Sequence, residues 1–183
     1  VIPYISELIK IDSKTNVLEI GCGEAGNLKP FLDLNCKATG IDISCGRIEL
    51  AKEFFKNHKN RENLELICED IYNVKSLDKK FDIIIMRDVI EHIPNQEKFM
   101  DFVKKFLKKD GKFFLAFPPW QNPFGGHQQV CQSKILSKMP YFHLLPNFIY
   151  TFILKSFGET EACVNQLLFI KDTGISIERF ERI

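Results

Sequence analysis

Apolar positions along the first two thirds of the chain switch between two periods. Short apolar, β-branched runs at 17–20, 37–41, 64–68, 81–86 and 112–117 each predict a buried strand. Between them the apolar residues recur at helical spacing. Ser44 is placed to cap a helix whose inner face is Ile48, Ala51 and Phe55, with Arg47, Glu49, Lys52 and Lys56 outside. The clearest helix is predicted over 95–109, where Phe99, Phe102, Val103, Phe106 and Leu107 form one stripe and Lys98, Asp101, Lys105 and Lys108 face water. Gly111 then supplies a left-handed stop. Residues 4–10 predict a short helix able to close over a site at the strand ends. Strands and helices alternating in this way predict an α/β fold, a Rossmann-like parallel sheet with helices on both faces.

After the fifth strand the pattern changes. Pro118, Pro119, Pro123, Gly125 and Gly126 interrupt any regular element, and residues 118–174 are read as an insertion or lid. Its segment 141–157 is dense in aromatic and aliphatic residues and is broken by Pro146. Three readings fit it: a lid over a hydrophobic ligand, a face for a second copy in a homodimer, or a helix in peripheral contact with a membrane. The run lacks the Lys- and Arg-rich polar face of a membrane binder. At the other end Ser176 can cap a helix carrying Ile177, Phe180 and Ile183, so residues 175–183 read as the start of a further core helix. A five-stranded sheet gives that helix no strand to lead into, and the expectation is that the final strands are missing from this chain.

Length and charge narrow the class. At 183 residues with 45% apolar content the chain suits one α/β core over residues 1–117 plus the insertion. Twenty-five basic against 24 acidic residues give no net field to recruit nucleic acid or an anionic membrane. No apolar run reaches the roughly 18 residues of a membrane span. The six cysteines, Cys22, Cys36, Cys45, Cys68, Cys131 and Cys163, show no CxxC pair and no histidine at zinc-ligand spacing, so they read as reduced thiols of a cytoplasmic protein with no metal.

The chemistry concentrates in residues 17–27, VLEIGCGEAGN. Gly21, Gly23 and Gly26 match GxGxxG, the turn from strand to helix beneath a nucleotide. Glu19, two residues before the first glycine, sits where a strand end faces the ligand. A carboxylate there repels a pyrophosphate but favours a cationic, phosphate-free nucleotide such as S-adenosylmethionine (SAM). Asp42 ends the second strand 19 residues after Gly23, at the distance that lets a carboxylate accept hydrogen bonds from both ribose hydroxyls; NAD asks for the same residue. Ile43 can pack on an adenine face. Asp70, after the third strand, is placed to accept from an adenine amino group, with Ile71 supplying apolar contact. The fourth strand leads into Arg87, Asp88, Glu91 and His92 at the same edge of the sheet, where open α/β sheets bind ligands.

Five ordered segments, VLEIGCGEAGN, GIDIS, CEDIY, FDIIIMRDVIEHI and LKKDGKFFLAFP, make the chain resemble a class I SAM-dependent methyltransferase, near the small-molecule and quinone-biosynthesis branch. The resemblance covers residues 14–117. It implies that Glu19 and the turn Gly21, Cys22 and Gly23 surround the methionine moiety of SAM. It further implies Asp42 and Ile43 at ribose and adenine, Asp70 and Ile71 at adenine, and the Met86 and Arg87 backbone near the amino-acid tail. The methyl group would pass to O, C or N of a small or lipid-like acceptor. His92 and His127 are the candidate bases, His127 because it lies in the loop after Pro118. Trp120, Phe117 and Phe124 either line the acceptor pocket or pack the loop, while His58 and His143 read as surface or packing residues. Two alternatives stand beside this one: an NAD-dependent oxidoreductase, which Glu19 opposes, and a non-catalytic module, which has no physical need for acids at the ligand edge.

Overall fold

Among the described residues five parallel strands form one sheet: β1 (Asn16–Ile20), β2 (Lys37–Asp42), β3 (Leu64–Cys68), β4 (Phe81–Arg87) and β5 (Leu107–Ala116), in the order β3-β2-β1-β4-β5. This is the sheet expected of a Rossmann-like class I methyltransferase fold. The structure, a computed structural model, describes residues 1–74, 77 and 80–183. Its α-helices are α1 (Ile2–Ser6), α2 (Lys29–Asp33), α3 (Cys45–Phe54), α4 (Gln96–Val103), α5 (Asn147–Ser156), α6 (Glu161–Thr173) and α7 (Ile177–Phe180). The chain divides into two units, one of Val1–Val89 with Asp101–Ala116, the other of Ile90–Met100 with Phe117–Ile183. Among the described residues no helix is long and apolar enough to cross a membrane.

In the first unit β1 lies between β2 and β4, with Val17 opposite Ala38 on one side and Ile83 on the other. Val17, Ala38, Ile83 and Ile85 form one core with Leu28, Phe31 and Leu32 around α2 and with Ile48, Ala51 and Phe55 of the α3 region. The alternate residues Leu18, Ile20, Ile41, Ile84 and Met86 are buried too. A sheet buried on both faces explains why these strands are continuously apolar rather than alternating. The polar ends of β1 and β2, Glu19 and Asp42, are therefore exceptions that need a reason.

Two expectations are corrected. The helix predicted over 95–109 stops at Val103, followed by a 3-10 turn at Lys104–Phe106. Leu107 instead pairs with Phe81 at the start of the β4·β5 ladder, and Lys108 Nζ contacts both Asp82 carboxylate oxygens at 2.8 and 2.9 Å. Tertiary pairing overrode the helical stripe, which is legible in sequence only as periodicity. Gly111 lies inside β5 and is not a left-handed stop: a Cβ there would sit 3.0 Å from the Phe81 carbonyl oxygen. The second correction concerns the cysteines, because Cys45 and Cys68 form a disulfide with Cα atoms 5.1 Å apart. The parallel register sets Cys68 opposite Asp42, and Cys45 opens α3 three residues later. A separation of 23 residues hides that adjacency in the sequence. Alkylation of the protein unfolded without reductant should therefore label four cysteines, counted by intact mass; six labels would reinstate the reduced-thiol reading.

The second unit has its own core of Cys131, Leu136, Phe142, Tyr150, Leu154, Val164 and Leu167. Pro146 sits at the N-cap of α5, so it begins that helix instead of breaking it. Buried polar side chains tie the loops together. Gln128 donates to the Pro123 and Met139 carbonyls at 2.8 and 3.0 Å. Lys171 of α6 donates to the carbonyls of His143 and Leu145, with its ammonium over the rings of Trp120 and Tyr150. Trp120 stacks edge-on against the buried His143, whose Nε2 donates to the Trp120 carbonyl at 2.8 Å. Both residues thus pack the loop, and Phe117 does the same against Phe180. Ser176 caps α7 as expected, accepting from Arg179 N.

Candidate functional site

At the carboxyl ends of β1 and β4 in the first unit is a cleft of about 390 Å³, lined by Glu19, Gly21, Cys22, Gly23, Glu24, Asn27, Arg47, Arg87 and Asp88. Its chemistry starts with Glu19, which is 1% exposed. One carboxylate oxygen accepts from Asn27 Nδ2 at 2.7 Å, and the other is buried with no hydrogen-bond partner. Burial pushes this carboxyl up from 4.5 to about 7; the Asn27 hydrogen bond and the Arg87 charge pull against that, and Asp42 adds a smaller push. A buried, half-satisfied carboxylate is costly unless a ligand completes it.

The turn after β1 is built for close approach. Gly21 has φ +67° and donates its N–H to Ile41 O at 2.8 Å. Gly23 donates to Asp42 Oδ2 at 2.7 Å, and Ser44 N donates to Asp42 Oδ1 at 2.8 Å. Asp42 therefore fastens the glycine turn to the first turn of α3, while a carboxylate retains further acceptor positions for ligand hydroxyls. Cys22 is buried beside these acids, and burial first, then Glu19 and Asp42, hold its thiol far above the ordinary value. It is an inert wall of the cleft and not a nucleophile.

The other predicted contacts divide. Met86 is buried at the end of β4 and Arg87 is exposed, its Nε 3.4 Å from an Asp88 carboxylate oxygen. Ile43 is 78% exposed past the end of β2. Asp70 caps the 3-10 turn Ile71–Asn73 by accepting from Tyr72 N at 3.0 Å, with Ile71 buried beneath it. Asp42, Ile43, Asp70 and Ile71 lie at or just past the ends of neighbouring β2 and β3 and are not among the residues lining the cleft. Sequence reasoning missed Asn27, Glu24 and Arg47. Asn27 closes the same run as Glu19, but nothing in the spacing says that its amide turns back. Helical periodicity puts Arg47 on the outer face of its helix, yet its guanidinium lies over the glycine turn, 3.5 Å from where a Cβ on Gly23 would be.

In the second unit the candidate bases are neighbours: the His92 and His127 rings meet edge-on with centroids 5.2 Å apart. Buried Glu91 joins them, with one donor atom from each of the three within 4.8 Å of the others. His127 also lines a cleft of about 600 Å³ with Pro118, Asn122, Pro123, Phe124, Gln129 and Val130.

A methyltransferase domain profile matches residues 1–138. The chain belongs to the methyltransferase domain family. Within the family it is similar to the ubiquinone biosynthesis O-methyltransferase of Glaesserella parasuis serovar 5, at 32% identity over 118 residues, 60% of this chain and 50% of that one. It is 28% identical to the sterol 4-C-methyltransferase strm-1 of Caenorhabditis elegans over 61% of this chain and 34% of that one. Among solved structures, PKMT2 from Rickettsia typhi in complex with AdoHcy matches with a TM-score of 0.59 and 26% identity, over 89% of this chain and 34% of that one. The chain thus spans between a third and half of the relatives it resembles.

Proposed function

We propose that this methyltransferase domain binds SAM at the cleft edge and directs its methyl group to a small-molecule acceptor. The observation that carries the reading is the partnerless oxygen of Glu19, a buried acceptor at the end of β1 that a cation's N–H completes. Bound there, SAM supplies an electrophilic methyl group on a positively charged sulfur. Glu19 takes the ammonium of the methionine end, and Gly21 and Gly23 let the ligand lie against the backbone. Asp42 uses its remaining acceptor positions for the ribose hydroxyls. Ile43 covers an adenine face, and Asp70 and Ile71 meet the adenine edge. Arg47 and Arg87 flank the carboxylate of the amino-acid tail. A pyrophosphate beside Glu19 would be repelled by its carboxylate, which argues against NAD.

The cleft beside His127 suits the acceptor, since Pro118, Pro123, Phe124 and Val130 give it apolar walls and His127, Asn122 and Gln129 give it orienting polar groups. That lining, with relatives named for ubiquinone and sterol, supports an apolar, lipid-like acceptor. His127 and His92 are the groups available to remove a proton from it.

Calorimetric titration tests the cofactor. The wild-type protein should bind SAM and S-adenosylhomocysteine and not NADH. Asp42→Ala should lose about a hundredfold or more in affinity while circular dichroism stays native, because it removes the ribose acceptor and loosens the glycine turn together. NADH binding without SAM binding, or binding of neither, would sink the proposal.

A further inference from the structure

Three segments of the second unit that are distant in sequence bring Cys131, Glu159 and Cys163 together, and one donor atom from each lies within 4.8 Å of the other two. We infer that these three side chains form a structural zinc site that staples the insertion. No linear spacing of ligands announces it, since Cys131 follows the 3-10 turn Gln128–Val130, Glu159 follows Gly158 after α5, and Cys163 lies in the first turn of α6. The donor set is the first argument. Two sulfurs and one carboxylate suit zinc better than calcium or magnesium, which prefer oxygen alone. Tetrahedral zinc with bonds of about 2.0 to 2.3 Å sets its donors about 3.5 to 3.8 Å apart, so the site closes with about an ångström of movement.

The carboxylate is already held as a metal ligand should be. Glu159 is 7% exposed, and its two oxygens accept from Ser133 N at 2.8 Å and Gln132 N at 3.0 Å. Burial works against its charge, yet these two backbone donors, and after them a hydrogen bond from the Cys163 thiol, keep its carboxyl below the ordinary carboxylate value. It is therefore an oriented anion with lone pairs left for a cation. The thiols lean the other way. Burial pushes Cys131 up to about 12, with Glu159 and Cys163 adding to it, and raises Cys163 as well. Zinc would take both as thiolates and release two protons to solvent, leaving a cluster with a single net negative charge.

Tyr150 is fully buried in the core that contains Cys131, and its hydroxyl has no hydrogen-bond partner. Burial raises that phenol, and the neighbouring Cys131 and Cys163 raise it further. A buried hydroxyl without a partner is costly, and three protein ligands leave the fourth position of tetrahedral zinc to a water. The consequence is local. Gln129 and Val130, which line the cleft with His127, immediately precede Cys131, so the metal would fix the backbone that carries that wall.

The test uses the whole chain, reduced and stripped of metal by a chelator, then titrated with Zn²⁺ and with Co²⁺. One equivalent should bind, Co²⁺ should give a sulfur-to-cobalt charge-transfer band, and Zn²⁺ should raise the thermal midpoint. Cys163→Ser, at a partly exposed position, and Glu159→Gln should each weaken binding by about tenfold or more. Cys45→Ser, outside the cluster, should leave it unchanged. Uptake unaffected by C163S and E159Q would overturn the assignment. So would a protein that takes up no metal after reduction and forms a Cys131–Cys163 disulfide in air.

Discussion

Glu19→Gln should weaken SAM binding by about a hundredfold at pH 7.5 and abolish the rise in affinity below about pH 7, while making the ligand-free protein less sensitive to alkali. The carboxyl is held near 7, so in the wild type it is largely neutral at about pH 5.5 and becomes an anion only as the pH passes through about 7. A cationic ligand needs the anion. Wild-type affinity should therefore rise about tenfold per pH unit up to about 7, level off, and decline once the ligand's own α-amino group loses its proton near about 8. Removing one member of a buried, hydrogen-bonded charge pair costs about 2 to 5 kcal/mol, which brackets the hundredfold loss.

The stability of the unliganded protein moves in the opposite sense. A carboxyl raised from 4.5 to about 7 binds more protons folded than unfolded between those values, so stability falls as pH rises through that window. The whole shift corresponds to about 3 kcal/mol. The glutamine side chain of the Glu19→Gln variant does not titrate, so the difference in unfolding free energy between variant and wild type should move in favour of the variant by about that amount between about pH 4.5 and about pH 8. Urea unfolding at the two pH values, with calorimetric titration of SAM alongside, measures both. Equal pH slopes in variant and wild type would place the titrating group elsewhere.

How much of this was legible in the sequence depends on whether a residue's partner is local. Four of the five strands lie within one residue of their predicted ends, because a sheet buried on both faces writes itself as short apolar runs. The helix at 95–109 failed where Leu107 found a ladder partner at Phe81, a choice no periodicity records. Glu19 stood out because a carboxylate two residues before the first glycine faces the ligand and repels a pyrophosphate, and the folded chain adds that one of its oxygens is buried without a partner. Asn27 and Arg47 were invisible for a different reason. Their roles follow from side chains folding back over a turn, and spacing along the chain carries no direction. The disulfide Cys45–Cys68 and the cluster of Cys131, Glu159 and Cys163 arise in the same way, from segments that meet only after folding.

The glycine turn separates motif from mechanism, and substituting alanine at its three positions should give three different results. GxGxxG treats Gly21, Gly23 and Gly26 alike, but their surroundings differ. At Gly21 the backbone is left-handed, with φ +67°, and a Cβ would collide with the Val89 side chain. Left-handed backbone costs an alanine about 1 to 2 kcal/mol, and displacing Val89 adds to it, so Gly21→Ala should destabilise by about 3 kcal/mol and deform the cleft. Gly23 is also left-handed, at φ +53°, yet a Cβ there meets nothing closer than the Arg47 guanidinium at 3.5 Å. Gly23→Ala should cost about 1 to 2 kcal/mol, and its effect on SAM should exceed its effect on folding, because the added methyl group and the Arg47 guanidinium it touches both border the proposed SAM site. Gly26 has ordinary backbone and no atom within 4 Å of an added Cβ. Gly26→Ala should leave SAM binding intact and stabilise by about 0.4 to 1 kcal/mol through the lost freedom of the unfolded chain. Thermal unfolding and SAM titration on the three variants give that order directly. If Gly26→Ala damaged binding as severely as Gly21→Ala, the methyl donor would have to lie further along the helix than Glu19 and Gly21 place it.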